Sequence, residues 1–90
     1  MNDMTPQEER FYATASITVL YDIFVDTATR LSGKYVALSR KASTEDERRR
    51  WWAEVMELRD LERSVDPDDR EALIAHIEEW RAEVARLQGR

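Results

Sequence analysis

The chain has no cysteine, one histidine, two glycines and two prolines in 90 residues. Without cysteine there is no disulfide framework, thiolate metal site or cysteine nucleophile. A single histidine, His76, cannot supply a multi-histidine metal site within one chain. The scarcity of breakers leaves long uninterrupted segments, and no glycine-rich phosphate loop, nucleophile elbow or zinc-protease helix motif is present. Lysine is scarce as well, since twelve of the 14 basic residues are arginine, a bias that points to a high-G+C bacterial or phage genome. Long apolar runs are missing. The longest weakly charged run, 11–25, contains Asp22, and a membrane span needs about 20 mostly apolar residues. The N-terminal MNDMTPQEER has no apolar core of a signal peptide. The expectation is a cytoplasmic protein with no membrane span, no cofactor and no metal.

What is present is charge, unevenly placed. Residues 1–41 carry five acids and five bases, and residues 42–90 carry fourteen acids and nine bases, which accounts for the net charge of −5. Binding to nucleic acid is driven largely by neutralising phosphates, so an acidic second half argues against a nucleic-acid partner.

The apolar periodicity is helical throughout. Thr5-Pro6-Gln7-Glu8 reads as a capping box with proline at the first helical position. From there Ala13, Ile17, Leu20, Tyr21, Phe24, Ala28, Leu31, Tyr35 and Leu38 form one stripe that runs in phase across Gly33. A glycine inside a helix costs only about 1 kcal/mol relative to alanine. The pattern therefore predicts one long helix over about 6–40, bent if anywhere at Ser32-Gly33, the alternative being a break there that gives four helices. Ser43 or Thr44 caps a second helix over about 44–65, with Trp51, Val55, Leu58, Leu61 and Val65 on its apolar side. Asp66-Pro67-Asp68-Asp69 reads as another start signal, giving a third helix over about 67–88 with a seam of Leu73, Ile77, Trp80, Val84 and Leu87. The fold expected is all-α, a single domain over 1–90 built as a three-helix bundle with a long first helix.

Such a bundle is short of cover. At 1.5 Å per residue the first helix would span roughly 50 Å against roughly 30 Å for each of the others. Along its unmatched part Phe11, Tyr12, Val19, Ile23 and Val25 lie well outside the main stripe. A helix apolar on most sides is buried on most sides. A chain of this size also buries only roughly 60–65% of its unfolded surface. Dimerisation or a protein partner is expected to complete the fold.

The stretch RRRWWAEV, residues 48–55, sets three arginines against two tryptophans. On a helix, Glu45, Asp46 and Glu47 reach these arginines at i+3 and i+4, so the run is expected to be neutralised locally. Adjacent tryptophans leave a helix about 100° apart. Trp51 belongs with Val55 and Leu58, while Trp52 heads a second row with Met56. That row is either the edge of a wide core or an aromatic and methionine anchor at an interface, where these residue types are enriched. Asp66, Asp68 and Asp69 have the composition of a cation loop but lack its glycine and distal glutamate, and helix capping accounts for them.

Arg70 and His76 stand in an R-x5-H arrangement. This resembles the short active-site motif of HEPN-type ribonucleases, helical and commonly dimeric proteins in which asparagine or aspartate normally follows the arginine, where this chain has Glu71. The resemblance implies a metal-independent ribonuclease using both residues across a dimer interface. Read from the residues alone, Arg70 pairs with neighbouring acids and His76 is a solvated flank residue. The sequence points first to a non-catalytic protein-interaction module of antitoxin, immunity, inhibitor or small assembly-subunit type. Its expected interface residues are Phe11, Tyr12, Val19, Ile23, Val25, Trp52 and Met56.

Overall fold

The computed structural model describes residues 5–89. Among these there are four helices and no strand: α1 (Pro6–Thr14), α2 (Ile17–Lys41), α3 (Glu45–Ser64) and α4 (Arg70–Leu87). The expected long first helix is two helices, and the break falls at Ala15-Ser16, not at Gly33. Both residues are extended, with φ and ψ of −63° and 151° at Ala15 and −64° and 154° at Ser16. The Ser16 hydroxyl accepts from the Val19 backbone N–H at 3.1 Å and so caps α2. Thr14 donates back to the Arg10 carbonyl at 2.9 Å, a bond that competes with regular helix. The stretch TASITV joins small hydroxyl residues to β-branched ones, all weaker helix formers than alanine or leucine.

The break changes which side of α1 is buried. Tyr12 enters the core, and Ala13, expected on the stripe, is exposed. Ending α1 early frees its last carbonyls, and Arg70 at the start of α4 supplies donors to Tyr12 O at 2.9 Å and Ala13 O at 3.4 Å. Arg81, farther along α4, bonds Glu8 at 2.6 Å and the Tyr12 hydroxyl at 3.1 Å. The overhang predicted for a single long helix is thereby folded onto α4.

The hydrogen bond from Arg81, followed by that from the Thr5 backbone, holds the Glu8 carboxyl below its ordinary value. A depressed carboxyl contributes stability that is present above its unfolded value and lost as pH falls through the folded one. Acidification below the ordinary 4.5 is therefore expected to loosen α1 from α4 before the core melts. Amide exchange in α1, followed against pH, should show this step, and Glu8→Gln should remove it.

Helix α2 is the element on which α3 and α4 both pack. It contributes Leu20, Phe24, Ala28, Leu31 and Tyr35 to the core, facing Trp51, Val55 and Leu58 of α3 and the full five-residue seam of α4. The Phe24 and Trp80 rings lie 5.0 Å apart, and Tyr35 stacks on Trp51 at 6.0 Å. Tyr35 also donates to Glu83 at 3.2 Å, and so ties both neighbouring helices to α2. Burial, then the negative charge of Glu83, pushes the Tyr35 phenol well above its ordinary value, so it stays a neutral donor.

Thr44, not Ser43, caps α3. The third expected helix starts later than predicted, at Arg70, because Pro67 sits inside a turn. The Asp69 N–H bonds the Asp66 carbonyl at 3.0 Å, Asp66 Oδ1 accepts from the Asp68 N–H at 2.9 Å, and Asp69 caps α4. Aspartate first and proline second is the favoured order for such a turn.

Gly33 is exposed in the interior of α2, its φ is not positive, and a Cβ there would meet nothing within 4 Å. Gly33→Ala is expected to stabilise the chain by about 0.5–1 kcal/mol. For a domain of this size that is a rise of about 2–8 °C in thermal midpoint, measurable by circular dichroism.

Candidate protein-binding face

The interface candidates divide by exposure. Phe11, Val19, Trp52 and Met56 are 49%, 41%, 50% and 42% exposed. Ile23 and Val25 are half-buried and packed against the core, and Tyr12 is buried in it. Tyr12 is thus accounted for by the chain's own fold, because the break at Ala15-Ser16 turns it inward.

Phe11 and Val19 flank that break, on α1 and α2. Trp52 and Met56 are one turn apart on α3 and share its outer side, away from Trp51, Val55 and Leu58. Two shallow hollows lie along this side. One is bordered by Arg48, Arg49, Trp52 and Ala53, the other by Ala53, Met56, Asp60 and Ser64. Trp52 and Met56 therefore belong to one continuous surface and not to the edge of the core. Sequence reasoning missed its charged members and Leu61, which is 38% exposed although its spacing placed it with the core.

The arginines beside this surface are occupied. Arg48 forms an ion pair with Glu45, and Arg49 lies 3.8 Å from the same carboxylate. Arg50 lies over the Trp51 ring, its guanidinium carbon 5.9 Å from the centroid. Glu47 instead accepts from the Ser43 backbone, and Asp46 makes no ion pair among the described residues. The basic run is quenched by one carboxylate and one ring, with less redundancy than its spacing implied.

A groove of about 380 Å³ separates α3 from α4, floored by Leu31, Tyr35 and Trp80 and rimmed by Glu54, Glu57, Glu79 and Glu83. Its floor residues are at most 6% exposed, and the apolar surface it leaves open includes Leu61.

Arg70 and His76 are six positions apart on α4, a rotation of about 240°, and leave the helix in different directions. Arg70 bonds the carbonyls of α1 and not the neighbouring acids. His76 is half-buried, not a solvated flank residue, with ring centroids 6.2 Å from Phe24 and 5.0 Å from Trp80. Its buried Nδ1 has no hydrogen-bond partner among the described residues. Asp66, Asp68 and Asp69 are engaged in the turn and the cap, and no cluster among the described residues has three groups able to hold a metal. No described helix is long and apolar enough to cross a membrane. Compared with protein-family models, curated proteins and solved structures, the chain matches none.

Proposed function

We propose that this chain is a non-catalytic, cytoplasmic protein-binding module, of antitoxin, immunity, inhibitor or small assembly-subunit type, that works through the outer side of α3. The observation that carries the reading is the adjacent pair Trp52 and Met56, about half exposed on a helix whose other large apolar residues are mostly buried. Tryptophan, methionine and arginine together are the residue types enriched at protein interfaces, and a tryptophan seated in a partner commonly dominates the binding energy. Phe11 and Val19 offer a second, smaller apolar area near the α1–α2 break. The pairing of Arg48 with Glu45 and the acidic second half of the chain argue against nucleic acid as the ligand.

The test is affinity capture from the source cells with the wild-type chain and with Trp52→Asp/Met56→Asp. Both substitutions are at exposed positions, so helicity should be kept, and the variant is expected to lose a protein that the wild type retains in stoichiometric amount. Equal retention by both would contradict the reading. The ribonuclease resemblance makes the separate prediction that His76→Ala abolishes biological activity, whereas the binding module tolerates it.

A further inference from the structure

Glu45, Arg49, Trp52, Met56, Asp60 and Arg63 follow one another at three or four residues, so they form a single stripe along α3. Its centre lies about 130° around the helix from the line of Trp51, Val55 and Leu58 that faces α2. All six residues are exposed. Read from either end, the order is charge, charge, large apolar, large apolar, charge, charge. The signs run acid, base, then acid, base.

From this stripe we infer that the occupant of the α3 face is a second copy of the same chain, its α3 running antiparallel about a two-fold axis near position 54. The inference rests on the reading of α3 as a protein-binding face and names the partner. Reversing one copy about that point sets Glu45 against Arg63 of the partner subunit, Arg49 against Asp60 of the partner subunit, and Trp52 against Met56 of the partner subunit. Every charged position then meets the opposite sign, and both tryptophans meet a methionine. A parallel arrangement in register would set each charge against itself, so the charge order selects one orientation. Isologous pairing of this kind needs a surface complementary to itself, which the stripe is.

Hollows border the apolar centre of the stripe, one lined by Arg49, Trp52 and Ala53 together with Ser39 of α2, the other by Ala53, Met56, Glu57, Asp60 and Leu61. Asp60 and Arg63 form no ion pair within one chain among the described residues, while Glu45 shares its charge with Arg48 and Arg49. The cross-pairs thus extend an existing ladder. A seam about 30 Å long is at the small end of stable interfaces, so dissociation in the range of about 1–100 μM is expected.

The experiment is sedimentation equilibrium of the full chain over that concentration range. The apparent mass is expected to rise from 10.6 kDa to twice that value. Met56→Glu should keep its helicity yet remain monomeric. Arg49→Asp and Asp60→Arg should each weaken association tenfold or more, and the double exchange should restore it. Because the chain has no cysteine, single spin labels can report orientation. Labels on Ala53→Cys should lie close across the axis, and labels on Ser64→Cys should be roughly 30 Å apart along the seam. A monomer at every concentration overturns the inference, as does a dimer indifferent to Met56→Glu or one with both label pairs close. If the chain is monomeric but Trp52→Asp/Met56→Asp still abolishes capture, the face binds a different protein and only the second copy is refuted. If neither mass nor capture responds to the α3 substitutions, the binding-face reading fails with it.

Discussion

Phe24→Ala is expected to cost about 3–5 kcal/mol, the usual loss for truncating a buried phenylalanine. Phe24 is completely buried in the first half of α2, with ring centroids 5.8 Å from Tyr21 and 5.0 Å from Trp80. Its removal would leave a cavity between α2 and α4 that rigid neighbours fill only in part. A domain of this length has a total stability of only about 5–13 kcal/mol, so the variant should lose a large share of it. Thermal denaturation should show a midpoint lower by about 15–30 °C. Phe24→Leu, which refills most of the volume, should lose much less. A drop of less than about 1 kcal/mol in Phe24→Ala would mean that α2 and α4 do not share this contact.

Arg70→Ala is expected to release α1 while leaving the other three helices folded. Hydrogen bonds from a charged donor contribute about 1.5–3 kcal/mol each when partly buried. Arg70 supplies one of them, to the Tyr12 carbonyl, and the same nitrogen makes a longer, exposed bond to the Ala13 carbonyl, both of which the helix break leaves without intrahelical donors. Amide exchange over residues 6–14 should accelerate roughly tenfold to a hundredfold, with α2 and α4 little changed. Equal acceleration everywhere would show that α1 is part of one cooperative unit and not a tethered flap. The same contacts give Arg70 a structural role that the R-x5-H spacing alone does not reveal.

Local signals in the sequence placed most of the elements. Thr5 with Glu8, and Thr44 before three acids, mark real helix starts because caps are decided by groups within one turn. The seam of α4 is buried at all five predicted positions, since strict three and four spacing admits one packing side. The break at Ala15-Ser16 was not legible. It contains neither glycine nor proline, and the apolar stripe passes over it in phase. What stabilises it is Arg70, more than fifty positions away, together with a serine cap that a continuing helix would mask. The same break accounts for Tyr12 and for the overhang: on an unbroken helix Tyr12 would face outward and the residues of α1 would extend past their neighbours.

The α3 face was partly legible. Periodicity separated Trp52 from Trp51 and joined it to Met56, but it left open whether the row faced inward. Exposure decides that for a single chain, because α2 takes only the narrow line of Trp51, Val55 and Leu58 from this helix. The spacing pairs the arginines of residues 48–50 with Glu45, Asp46 and Glu47, which holds for Glu45 with Arg48 and Arg49, and says nothing of Asp60 or Arg63.

On the proposed function, the outer side of α3 is covered when the protein works. Methionine oxidation by peroxide tests it directly, because a thioether against solvent reacts and one packed in an interface is shielded. Met56 oxidation should be mapped by mass spectrometry in the purified chain, diluted below association, and in intact source cells at matched peroxide exposure. Strong protection of Met56 is expected in cells, lost in Trp52→Asp. Oxidation of Met56 at the same rate in both settings would mean that the α3 face stays open in cells.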